Sequence, residues 1–121
     1  MNLETALKEA MTVDGAIGVA VVDYESGMSL GTLGGGQGLD LDIAAAGNTE
    51  VVRAKARTLA TLQMNDTVED ILITLGQQYH LIRPMTSSSG SLFLYLALDR
   101  SRGNLALARH ALKRIEAELE V

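Results

Sequence analysis

Gly34-Gly35-Gly36-Gln37-Gly38 is the stretch of this 121-residue chain whose residue types come nearest to chemistry. A glycine run ahead of a helix can turn backbone N–H groups toward a phosphate. A P-loop needs a Lys and then a Ser or Thr straight after its glycines, whereas Leu39 and Asp40 stand here, and the Gly-x-Gly-x-x-Gly spacing of dinucleotide sites is missed as well. The run reads as a plain flexible connector. His80 and His110 are the only histidines, thirty residues apart, with no Glu-x-x-His pairing around them, so neither metal binding nor acid/base work has its constellation. Tyr79, Ser87, Ser88 and Ser89 fall in or near turns, where serine hydroxyls bond local backbone, and no base is placed to activate any of them. Arg53 and Arg57 stand four apart beside Glu50, the spacing of a solvated helix face.

The composition narrows the classes further. Apolar residues make up 47% of the chain and aromatics 3%, so the interior must be built from Ala, Leu, Val and Ile. The length fits one domain over residues 1–121, with a core that needs neither metal nor disulfide. A formal charge of −5 with dispersed Lys and Arg excludes a nucleic-acid surface. The lack of cysteine removes thiolate ligands and thiol nucleophiles and fits a reducing compartment. Neither a secretory signal nor a membrane span is visible, so a soluble, cytoplasmic protein without direct membrane insertion is expected.

The elements follow from hydrophobic period. Leu3, Ala6, Leu7, Ala10 and Met11 recur at helical spacing up to Asp14-Gly15. Residues 16–23 predict a strand covered on both sides, with Ile17, Val19 and Val21 on one face and Ala16, Gly18, Ala20 and Val22 on the other; residues 28–33 return as a weaker edge. After a second helix, residues 68–75 predict a strand, and Gly76-Gln77 predicts a type II′ hairpin with positive φ at the glycine. Residues 79–83 return and Pro84 ends them; Leu92, Leu94, Leu96 and Leu98 alternate with Phe93, Tyr95 and Ala97 in the strongest strand. A last helix near 104–119 carries Leu105, Ala108, Leu112, Ile115 and Leu119. The order α-β-β-α-β-β-β-α, with the two most apolar strands at the centre, predicts an α/β (α+β) fold of three layers. Its five-stranded antiparallel sheet takes the order 2-1-5-4-3, with helices on both faces.

The second helix, residues 40–62, carries more apolar surface than one sheet can cover. At about 100° per residue, Leu41, Ala45, Val52, Ala56 and Leu59 form one stripe, while Ala44, Val51 and Leu62 form another. Asn48 and Lys55 interrupt the stripes and could fix register across a two-fold axis, and Gly47 would admit a second backbone or a bend. The third strand, carrying Ile71 and Ile73, falls at a sheet edge with charge only at its start, a template for pairing. A homodimer through these two elements is therefore expected, with Ala44, Asn48, Val51, Val52, Lys55, Leu59, Leu62, Ile71 and Ile73 as interface candidates.

With that order, the chain resembles the roadblock / dynein light chain family over nearly its whole length. The resemblance lies in Gly15-Ala-Ile-Gly-Val-Ala-Val-Val-Asp-Tyr-Glu-Ser-Gly27, the Ala-rich second helix, Tyr79-His-Leu-Ile-Arg-Pro84, and Leu92-Phe-Leu-Tyr-Leu-Ala-Leu-Asp-Arg100 with Asn104-Leu-Ala-Leu-Ala-Arg109. It implies a profilin-like domain that dimerises through second helices and third strands, needs no cofactor, and scaffolds or regulates Ras-like small GTPases. The chain is most similar to the prokaryotic type that accompanies such a GTPase. Arg53 and Arg57 then become candidate partner contacts, and either could act as an arginine finger supplied in trans. A non-enzymatic interaction module is expected. The alternative, a small-molecule sensor, requires a cavity with convergent polar groups.

Overall fold

Asn2 opens the first helix, α1 (Leu3–Met11), by accepting a hydrogen bond from the Thr5 amide at 2.8 Å on its side chain. The computed structural model describes residues 1–36, 38–86 and 90–121; Gln37 and the serines at 87, 88 and 89 singled out from the sequence lie outside the described residues. Strands β1 (Ala16–Asp23) and β2 (Met28–Gly34) form a hairpin whose turn places Gly27 at φ +79°. Then come helix α2 (Leu41–Thr61), β3 (Ile71–Thr74), β4 (Gln78–Pro84), β5 (Leu92–Asp99) and α3 (Leu105–Glu118). The sheet is antiparallel throughout, in the expected order β2-β1-β5-β4-β3.

The two faces of β5 divide the core. Leu92, Leu94, Leu96 and Leu98, with Val19, Val21 and Leu81, meet Ala6, Leu7 and Ala10 of α1 and Ala108, Leu112 and Ile115 of α3. Phe93, Tyr95 and Ala97, with Ala20, Val22 and Ile82, lie under Leu41, Ala45 and Val52 of α2. Three layers result, and α2 alone covers its side, resting mainly on β1 and β2.

Four local expectations are corrected. The third strand is four residues long, not eight: pairing with β4 runs only from Ile71↔Ile82 to Thr74↔Tyr79. Ile17 joins Ala20 and Val22 on the α2 side, and Ala16 faces α1 and α3, because the ladder to β5 skips a residue between Ala16 and Gly18. Gly76 is not among the residues with positive φ, so the hairpin is no type II′ turn; Leu75 N–H donates to Gln78 at 2.8 Å, and the Leu75 carbonyl accepts from Arg100 at 2.8 Å. The glycine run is more than a loose connector. Gly34 and Gly35 take φ near +80° against Ile17 and Leu41, and Gly36 and Leu39 exchange backbone hydrogen bonds of 3.1 and 3.2 Å.

Candidate functional site

Asp40 sets where α2 begins, its carboxylate accepting from the amides of Asp42 and Ile43 at 3.0 and 3.1 Å. From there the helix turns Leu41, Ala45, Asn48, Thr49 and Val52 onto its own sheet. This settles which stripe is intramolecular, and it corrects two interface candidates: Asn48 and Val52 are buried inside the protomer. The Thr49 hydroxyl is satisfied by the Ala45 carbonyl at 2.8 Å.

The other stripe stays open. Ala44 and Val51 are half-buried, Lys55 is exposed, and Leu62 is 60% exposed at the helix end. Ile43, missed in the sequence stripes, is 72% exposed on the outer face. A Cβ added at Gly47 would meet nothing within 4 Å, so no neighbour within the protomer requires glycine there. Arg53 and Arg57 are both exposed, and neither forms an ion pair among the described residues.

Beyond Val52 the helix borders a groove of about 370 Å³, walled by Ala56 and Leu59 and reaching Ile71, Pro84 and Met85. Leu59 is half-buried there, and Ile71 and Ile73 are half-buried on the α2 side of β3. Of the polar residues that line the groove, Asp66, Thr67 and Thr86 are exposed and Tyr24 is half-buried. The outer edge of β3 pairs with no strand among the described residues. Among the described residues an apolar helix stripe and a strand edge are thus both left uncovered, and the groove joins the C-terminal half of α2 to Ile71 of β3.

His80 belongs to a polar chain under α2 that no residue spacing assembles. Its Nε2 lies 2.8 Å from Gln78 Oε1, its Nδ1 lies 3.2 Å from the Tyr95 hydroxyl, and the two rings meet edge to face. Burial holds the imidazole below its ordinary value. It raises the Tyr95 phenol to about 12, an effect partly offset by the neighbouring Asn48 amide. His110 is exposed on α3. Among the described residues no three His, Cys, Asp or Glu side chains gather as a metal site requires, and no helix is long and apolar enough to cross a membrane. A second polar feature is structural: Arg83 Nε donates to Glu116 Oε1 at 2.6 Å, and Glu116 Oε2 accepts from the Thr86 amide at 2.9 Å.

Solved structures share this whole arrangement. The roadblock/LC7 domain from Streptomyces avermitilis superposes with a TM-score of 0.78 at 13% identity, covering 97% of this chain and 93% of that one. The fold is a roadblock-type fold. MglB of Myxococcus xanthus shares the roadblock fold with this chain at a TM-score of 0.75 and 19% identity, over 94% of this chain and 85% of that one. An MglB in a tetrameric arrangement matches with a TM-score of 0.70 at 19% identity, over 95% and 88% of the two chains. No protein-family model and no curated protein matches the sequence. The likeness therefore lies in the roadblock architecture, carried by packing positions that tolerate many apolar sequences.

Proposed function

We infer that this chain, one roadblock-like domain over residues 1–121, is a non-enzymatic interaction module that pairs with a second copy and binds a Ras-like small GTPase as regulator or scaffold. The observation that carries the reading is that the Ala44, Val51 and Leu62 stripe is only partly covered and that the β3 edge beside Ile71 and Ile73 is unpaired among the described residues. Edge pairing of β3 with its copy continues the sheet across a two-fold axis, and the two α2 helices then meet along their open stripes. Lys55 borders that contact, and Leu59 reaches it through the groove. Self-assembly has a precedent on this fold in the tetrameric MglB.

Arg53 and Arg57 project away from the pairing stripe, which leaves them for a different, acidic partner surface. Their role is contact, and an arginine-finger role is the narrower form of the same reading. The test is co-precipitation of the tagged protein from lysate with a GTP analogue or with GDP. A Ras-like protein retained with one nucleotide and lost with Arg53→Ala/Arg57→Ala supports the reading. Absence of any such protein with both nucleotides contradicts the GTPase assignment.

A further inference from the structure

Both nitrogens of His80 are engaged, and the identity of their partners fixes where its proton sits. The Gln78 carboxamide oxygen can only accept, so Nε2 carries the hydrogen across the 2.8 Å contact, and Nδ1 accepts the Tyr95 O–H across 3.2 Å. The tyrosine oxygen is left to receive a donor. Its neighbour on α2 is Asn48, 8% exposed, whose Nδ2 lacks a hydrogen-bond partner among the described residues. The chain Tyr95, His80, Gln78 therefore runs in one direction from β5 to β4, with the Asn48 amide of α2 beside its start.

A proton added at Nδ1 breaks that direction. The acceptor becomes a donor facing the Tyr95 O–H, so the 3.2 Å contact is lost unless that hydroxyl turns toward the Asn48 amide. Among the described residues no ion pair engages this imidazole. Among them Tyr95 on β5 is the titratable group bonded to it, α2 presents Asn48, β3 presents Ile73 directly across the ladder, and Gln78 is the neighbour on its own strand. Ile73 is also a residue that pairing would cover, and it stands directly across the ladder from His80, which is itself only half-buried.

We propose that His80 gates self-association: the α2–β3 surface closes on a second copy only while this imidazole is neutral, and acid opens the pair. The proposal rests on the self-association reading given above. The sign follows from proton counting. Desolvation disfavours the charged ring, the paired state binds fewer protons than two separate copies, and lowering the pH therefore favours separation. A further depression on pairing acts once at each of the two copies, so the two factors multiply in Kd once the pH lies below the imidazole values.

The experiment is sedimentation equilibrium from about pH 7.5 to about pH 5.5, in a His110→Gln background that leaves His80 as the only imidazole. Kd is expected to rise by about tenfold or more toward acid, and His80→Gln, neutral throughout, is expected to flatten the profile. A pair whose Kd changes equally with pH in both proteins overturns the gate and leaves self-association standing. A protein monomeric at every concentration near neutral pH overturns both. Should His80→Gln fail to fold, NMR titration of the His80 ring decides: its pKa falls as concentration drives pairing, and a concentration-independent value overturns the gate.

Discussion

Replacing Glu116 by alanine removes the group on which α3, β4 and the turn after β4 converge. The Arg83 and Glu116 side chains are 13% and 7% exposed, so the guanidinium left behind cannot recover a full hydration shell. Breaking a buried ion pair by deleting one partner costs about 3–5 kcal/mol, far more than the loss of an exposed surface pair. The Thr86 amide and hydroxyl also lose their acceptor, at 2.9 and 3.3 Å. For 121 residues the unfolding entropy is roughly 0.25 kcal/mol/K, so the expected fall in Tm is about 12–20 °C. Thermal unfolding followed by circular dichroism measures it, and high salt should not abolish the difference. Glu116→Gln should also destabilise, because its amide nitrogen confronts the Thr86 donors or the Arg83 donor whichever way it is turned. A fall below about 4 °C for the alanine variant, equivalent to about 1 kcal/mol, would refute the claim that this pair clasps the layers.

Gly47→Ala should raise stability by about 0.5–1 kcal/mol in thermal melts, since the position is helical and a Cβ there meets nothing within 4 Å; a loss of pairing without a loss of stability would place a second backbone against it. Gly34→Ala should have the opposite effect and cost more than about 1 kcal/mol in denaturant titration, because φ is +79° and its Cβ would stand 2.6 Å from the Ile17 carbonyl. Alkali should destabilise the fold as the pH rises from 10.0 toward about 12: the Tyr95 pKa is raised by burial, so the protonated phenol's contribution is complete below 10.0 and is lost through that window. Ultraviolet titration checks this, and Tyr95→Phe should remove the late phenolate step. Arg53→Ala/Arg57→Ala should reduce partner capture while leaving the molar mass in light scattering unchanged.

Alternation alone made most of the architecture legible. Leu92 to Leu98 could be assigned to two faces from spacing, and the strand order followed because β1 and β5 had no polar side to show to solvent. The ends of α2 were legible for a different reason: Asp40 is a capping residue, and a helical period of apolar residues starts directly after it. Each departure has a physical cause. Ile17 changed faces because a bulge shifts register without leaving a mark in the apolar pattern. Residues 68–70 alternate like a strand, yet Asp70 is engaged by Arg109 of α3 at 3.0 Å, a long-range contact invisible to a local pattern. The two stripes of α2 were visible together, but assigning them needed the sheet: Asn48, polar and thus a candidate for an interface, is held beside the Tyr95 hydroxyl. The His80 chain joins residues of β4 and β5 beside Asn48 of α2, and no spacing in the sequence foretells such a network.

Sedimentation or light scattering of the wild-type chain beside Ile73→Lys tests the central claim most directly. Pairing through α2 and β3 gives a wild-type mass of twice 12.9 kDa that falls to the single-chain value when a charge is placed on β3, with circular dichroism showing the fold intact. A wild-type protein that stays at 12.9 kDa at every concentration, or an Ile73→Lys variant that keeps the doubled mass, would contradict it.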